Sequence, residues 1–208
     1  MAITLLWSFP ARSAEVEIVE YLTPTPNSSP ADLVFDAMGD LWFTEIHANK
    51  IARLIPSEAE PGTAKGITEF PLPRPNSKPN FILKGRDGGI WFSEMNGNAI
   101  GRFDPERKTF QEYLIPTPKS EPHQLAQGED GTIWFTEFEA NKIGKLDPKS
   151  GIIQEFPVNP GHPHGITLRN GQIWYTKGGK FWRKQFVNKI GSLNPSTGNL
   201  KEFIIQPG

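Results

Sequence analysis

The chain has 208 residues, with 22 basic against 23 acidic side chains, and this near-neutral balance removes the electrostatic case for a nucleic-acid partner. It contains no cysteine, which excludes a disulfide framework, a thiolate metal site and a cysteine nucleophile. Twenty glycines and twenty prolines, with six tryptophans and fourteen phenylalanines against three methionines, predict short strands and frequent turns, an all-β chain.

At the N-terminus an apolar run from Ala2 to Phe9 precedes Ala11-Arg12-Ser13-Ala14, a small-residue stretch like a cleavage region, but no basic segment comes before it. Residues 1–14 therefore read as a truncated leader, against an apolar N-terminal strand or tail. With a leader the protein is expected in the periplasm or secreted, and without one in the cytoplasm. No other run approaches the roughly 18 apolar residues of a membrane span, so no membrane partner is expected. Val16 to Leu22 then reads as a strand.

From there the chain repeats itself. LWFTE at Leu41 to Glu45 recurs as IWFSE at Ile90 to Glu94, IWFTE at Ile133 to Glu137 and IWYTK at Ile173 to Lys177. Each copy continues with an Asn-containing marker (Asn49-Lys50-Ile51-Ala52, Asn98-Ala99-Ile100-Gly101, Asn141-Lys142-Ile143-Gly144, Asn188-Lys189-Ile190-Gly191). Each closes with an acidic-aromatic pair, Glu69-Phe70, Glu112-Tyr113, Glu155-Phe156 and Glu202-Phe203, and a fifth pair, Glu20-Tyr21, stands before the first copy. The copies span about 23–72, 73–115, 116–158 and 159–205 and hold four β-prone runs apiece; in the third these are His123 to Ala126, Thr132 to Phe138, Lys142 to Leu146 and Ile152 to Phe156. Such periods, broken by turns like Asp87-Gly88 and Asp130-Gly131, predict propeller blades. The expected fold is an all-β propeller of four four-stranded blades plus one extra N-terminal outer strand, partial or open, whose Trp and Phe residues stack blade on blade. Its uncovered blade edges predict self-association.

Residues in every copy are explained by folding, the second-strand glutamates Glu45, Glu94 and Glu137 among them. The entrance to the first strand varies: Ser29-Pro30-Ala31-Asp32, Lys78-Pro79-Asn80-Phe81, Glu121-Pro122-His123-Gln124 and His162-Pro163-His164-Gly165. In extended backbone, positions i and i+2 share a face, which would put Glu121 beside His123 and His162 beside His164 at one mouth of the central channel. Such a set suits a divalent metal or acid–base chemistry. His47 reads as a surface residue. The fourth copy carries an insertion, Gly178 to Val187, read as a solvated loop or a ligand-covering flap.

WFTE, NKIG, EFP and Pro-His-Gly-Ile in this order resemble the virginiamycin B lyase family of seven-bladed propellers, over roughly Glu15 to Pro207. The resemblance implies a metal-assisted β-elimination that opens a cyclic depsipeptide, a streptogramin B, at its ester. It implies a site with one histidine from a Pro-His segment, a glutamate and a histidine from a Glu-Pro-His segment, and magnesium. Glu121-Pro122-His123 matches the second motif and His164 stands in the first. The expected assignment is His123 and His164 as catalytic residues, with His123 as base, Glu121 and His162 as metal ligands, Mg2+ or another divalent metal as cofactor, and a small cyclic peptide or other small molecule at the mouth. A non-catalytic scaffold for a peptide, glycan or protein is the alternative, and a metal-dependent lactone hydrolase a third.

Overall fold

The computed structural model describes residues 18–180 and 185–204, which leaves the leader reading of residues 1–14 outside the described residues. Among the described residues sixteen strands form four antiparallel sheets, each of four strands in chain order. Blade one is β1 (Pro30–Phe35), β2 (Leu41–Glu45), β3 (Lys50–Leu54) and β4 (Ile67–Pro71); blade two is β5 (Pro79–Lys84), β6 (Ile90–Glu94), β7 (Ala99–Asp104) and β8 (Thr109–Leu114). Blade three is β9 (Pro122–Gln127), β10 (Ile133–Glu137), β11 (Lys142–Leu146) and β12 (Ile153–Pro157); blade four is β13 (Pro163–Arg169), β14 (Gln172–Lys180), β15 (Gln185–Leu193) and β16 (Leu200–Ile204). The first strands lie beside one another in the order β1, β5, β9, β13, so their starts are gathered at one end of the blades.

Alternation along the second strand cements the blades. Trp91 turns towards blade three and packs with Ile133, Phe135 and Leu146, while Phe92 turns back to blade one and packs with Trp42 and Ile51. Both Trp91 and Phe92 are fully buried, and burying an aliphatic or phenyl side chain of this kind contributes about 1.5–3 kcal/mol. The glycine of the Asn-Lys-Ile-Gly marker is required by the same packing: a Cβ on Gly144 would overlap the Phe135 ring, and one on Gly191 the Tyr175 ring. On the open side of blade one Leu33 and Phe35 are exposed, and on blade four so are Phe203 and Ile204.

Two expectations change. The described part of the predicted N-terminal strand, residues 18–22, pairs with no sheet; it runs beside the loop between β3 and β4, where Leu22 N donates to the Thr63 carbonyl at 3.0 Å and Gly62 N to that of Glu20 at 2.8 Å. In blade one the outer place beside β3 is taken by β4. Val16 and Glu17 lie outside the described residues. The fourth-copy insertion is neither a separate loop nor a flap in its described part: it lengthens the β14–β15 hairpin through the pairs Gly179–Phe186 and Lys180–Gln185. Its residues 181–184 lie outside the described residues.

Candidate functional site

Each first strand is entered through a residue in the left-handed region, with φ of 55° at Ser29, 54° at Lys78, 49° at Glu121 and 54° at His162, directly before the proline. This conformation turns the carbonyl to the hairpin of the same blade: Ser29 O accepts from Ile46 N, Lys78 O from Met95 N and Glu121 O from Phe138 N. The marker asparagines hold these entrances from the preceding blade. Asn98 Oδ1 accepts from Ser120 N at 2.7 Å, and Asn141 Oδ1 accepts from Gly161 N at 2.9 Å and His162 N at 3.0 Å. The second-strand threonine adds a bolt, because Thr136 Oγ1 accepts from Gln124 N and donates to the His164 carbonyl at 2.8 Å.

His123 and His164, one from β9 and one from β13, are thereby brought edge to face, with ring centroids 4.8 Å apart. Phe138 stacks on His123 at 4.8 Å, and Phe81 reaches both rings, at 5.8 Å from His123 and 6.0 Å from His164. His164 is exposed, whereas His123 is partly buried and its Nδ1 meets no hydrogen-bond partner. Burial first, then the neighbouring His164, lower His123 to about 4, against a smaller opposing pull from Glu139. Burial also lowers His164. Both rings are therefore neutral at neutral pH, able to accept a proton.

Glu121 and His162 stand at the left-handed entrances, and the His162 ring lies against Phe138 at 4.9 Å. A left-handed residue does not share a face with the residue two positions on, which removes the strand-alternation argument for pairing Glu121 with His123 and His162 with His164. Glu121 instead lines a groove with Arg74, Met95 and Lys119. His162 Nδ1 lies 2.9 Å from the Phe138 carbonyl, which can only accept, so this nitrogen carries the proton. Among the described residues no three His, Asp or Glu side chains are grouped to hold a metal ion. Two imidazoles, with the Glu139 carboxylate acting on His123 but not grouped with both rings, suit magnesium poorly, since it takes oxygen ligands. The residues present do not fit the expected metal centre.

His47 is a surface residue bonded to Ser29, as expected. The second-strand glutamates are buried: Glu94 meets Arg74 at 3.1 Å, and Glu137 lies beside Glu155 of its own blade.

The model of one protein family, described as the virginiamycin B lyase family, matches residues 12–207. The chain belongs to the virginiamycin B lyase family. Its fold is similar to a virginiamycin B lyase from Staphylococcus aureus, with 37% identity and a TM-score of 0.76 over 88% of this chain and 58% of that one. A catalytically inactive histidine-to-alanine form of the S. aureus enzyme with quinupristin gives 36% identity and a TM-score of 0.75 at the same coverage. A streptogramin B lyase gives 31% identity and 0.77, over 90% of this chain and 58% of that one. The chain thus spans about three-fifths of the length of these lyases, 58% in each case. No curated protein matches.

Within this member of the virginiamycin B lyase family, sequence reading missed Phe81, Phe138 and Glu139. A signal existed for Phe81. It occupies the position of Asp32 and Gln124, whose side chains accept from the next blade at Ile82 N and Ile166 N, so Phe81 abandons an inter-blade bond to flank the histidines.

Proposed function

We propose that this chain carries the elimination chemistry of a virginiamycin B lyase, opening a cyclic depsipeptide at its ester. The observation that supports it is the pair of neutral imidazoles, His123 and His164, set edge to face at the starts of adjacent first strands. A base removes the proton α to a carbonyl, the electron pair forms the carbon–carbon double bond, and the ester C–O bond breaks with departure of the carboxylate. His123 takes the proton: its ring is fixed by Phe138 and kept neutral by burial. His164, exposed beside it, guides the departing carboxylate. Phe81 and Phe138 exclude water from the side of the rings they cover. No step is assigned to a metal, since the donors do not converge.

Mass spectrometry after incubation with a type B streptogramin tests this. Elimination gives a ring-opened, unsaturated product of unchanged mass, whereas hydrolysis adds one water. Activity should hold from neutral pH down to about 5 and fall as His123 protonates near 4. His123→Ala and His164→Ala should each abolish turnover; turnover that survives both refutes the assignment, and binding without turnover supports the scaffold reading.

A further inference from the structure

At the other end of the strands from the histidines, each of the first three blades sets a cation opposite its tryptophan in cross-strand register: Arg53 with Trp42, Arg102 with Trp91 and Lys145 with Trp134. The cation lies over the indole, 5.7, 5.8 and 5.4 Å from the ring centroid. In blades one and two carboxylates complete this arrangement. Asp87 accepts from Trp91 Nε1 at 3.2 Å through one oxygen and from Arg102 Nε at 2.7 Å through the other. In blade one Asp36 takes the Trp42 indole at 2.9 Å and Asp40 takes Arg53 Nε at 2.8 Å.

Blade three has the cation and the indole, but its carboxylate is not hydrogen-bonded to either. Asp130 stands where Asp87 does, but its Oδ1 accepts the Thr132 hydroxyl at 2.6 Å and the Thr132 N–H at 3.1 Å. Blade two has Gly89 at the Thr132 position, with no hydroxyl to compete. Among the described residues the Trp134 indole N–H donates to no acceptor, although Trp134 is only 3% exposed, and Lys145 acts on Asp130 through its charge without forming a salt bridge to it. Both side chains line a groove of about 790 Å³ between blades three and four, together with Arg86 and Arg169, and with Glu129 and Asp130 on the acidic side.

We propose that this groove binds a carboxylate, one oxygen accepting from Trp134 Nε1 and the other from Lys145 Nζ, in the place that Asp87 fills in blade two. The sister blades supply the template, since the same indole–cation pair already grips a carboxylate there. With Lys145, Arg86 and Arg169 give the groove three positive charges against the two negative charges of Glu129 and Asp130. The proposal is independent of the elimination chemistry, because none of these residues belongs to the histidine cluster.

Indole N–H resonances of the full chain, with that of Trp134 identified by Trp134→Phe, provide the test. Acetate should shift the Trp134 resonance saturably and leave that of Trp91 in place, while chloride at equal ionic strength leaves both unmoved. Lys145→Gln should weaken acetate binding about tenfold or more, the loss expected for a charge-assisted hydrogen bond. Thr132→Gly should free Asp130 to close the clasp from within and abolish the acetate response. An acetylated dipeptide with a free C-terminus that binds more tightly than acetate identifies a peptide carboxylate as the ligand; equal affinity identifies a small acid. A Trp134 response that is the same for chloride and acetate, or that persists undiminished in Thr132→Gly, overturns the proposal.

Discussion

Replacing Glu137 by glutamine should change how stability depends on pH, because this carboxyl is folded into a place that disfavours its charge. Glu137 is fully buried, and burial first, then the Glu155 carboxylate beside it, raise it from 4.5 to about 8. Glu155 keeps its own charge through Lys142 at 2.9 Å and Thr117 at 2.9 Å, and is lowered. Between pH 4.5 and 8 the folded chain therefore holds a proton that the unfolded chain has lost. Stability from this group is complete below 4.5 and is lost as pH rises through 8. At about 1.4 kcal/mol per pH unit the loss reaches a ceiling of about 5 kcal/mol. Glutamine has the same shape and no charge to lose. Urea denaturation followed by tryptophan fluorescence at pH 5 and pH 8.5 should show wild type losing several kcal/mol more than Glu137→Gln, with unchanged denaturant slopes. Glu94, raised to about 7 by burial, contributes a decline common to both proteins. If the two stabilities fall in parallel, Glu137 is not protonated in the fold and the reasoning is wrong.

Asn141→Ala removes two hydrogen bonds to the entrance of β13 and leaves alanine at φ 54°, so it should lower stability by about 2–3 kcal/mol; Asn141→Gly, which accepts that backbone without strain, should lose less, and equal losses in thermal denaturation would refute the strain component. The exposed Leu33 and Phe35 on blade one and Phe203 and Ile204 on blade four should drive self-association of this 208-residue chain, visible as a concentration-dependent mass in light scattering. A monomer at all concentrations would show that these faces are protected.

The repeat made the strands legible because each blade must solve one packing problem: Trp91 and Phe92 on opposite faces, and Gly144 under Phe135, leave marks in residue type. The two histidines were legible as departures from that pattern, and they do meet. The left-handed residue before each proline was not, since Ser29, Lys78, Glu121 and His162 share a backbone conformation and nothing in chemistry. That hidden turn is why strand alternation was no guide to where Glu121 and His162 point. Phe138 was hidden differently: it lies just past β10, and only the fold shows that its ring covers His123 while its carbonyl holds His162. Glu20-Tyr21 misled because an acidic-aromatic pair elsewhere marks a fourth strand, whereas here the described segment bonds to the β3–β4 loop.

The asparagine that closes one blade's hairpin sets the entrance of the next: Asn49 receives Lys78 N, Asn98 receives Ser120 N and Asn141 receives His162 N. The entrances that carry the histidines are thus aligned by the asparagine of the blade before. Chemistry in such an architecture is transferable, because a histidine placed after any of these prolines inherits its bearing from the neighbour upstream. A family built this way can shift its site around the ring, or acquire a second one, by exchanging a few residues at an entrance while the scaffold stays untouched.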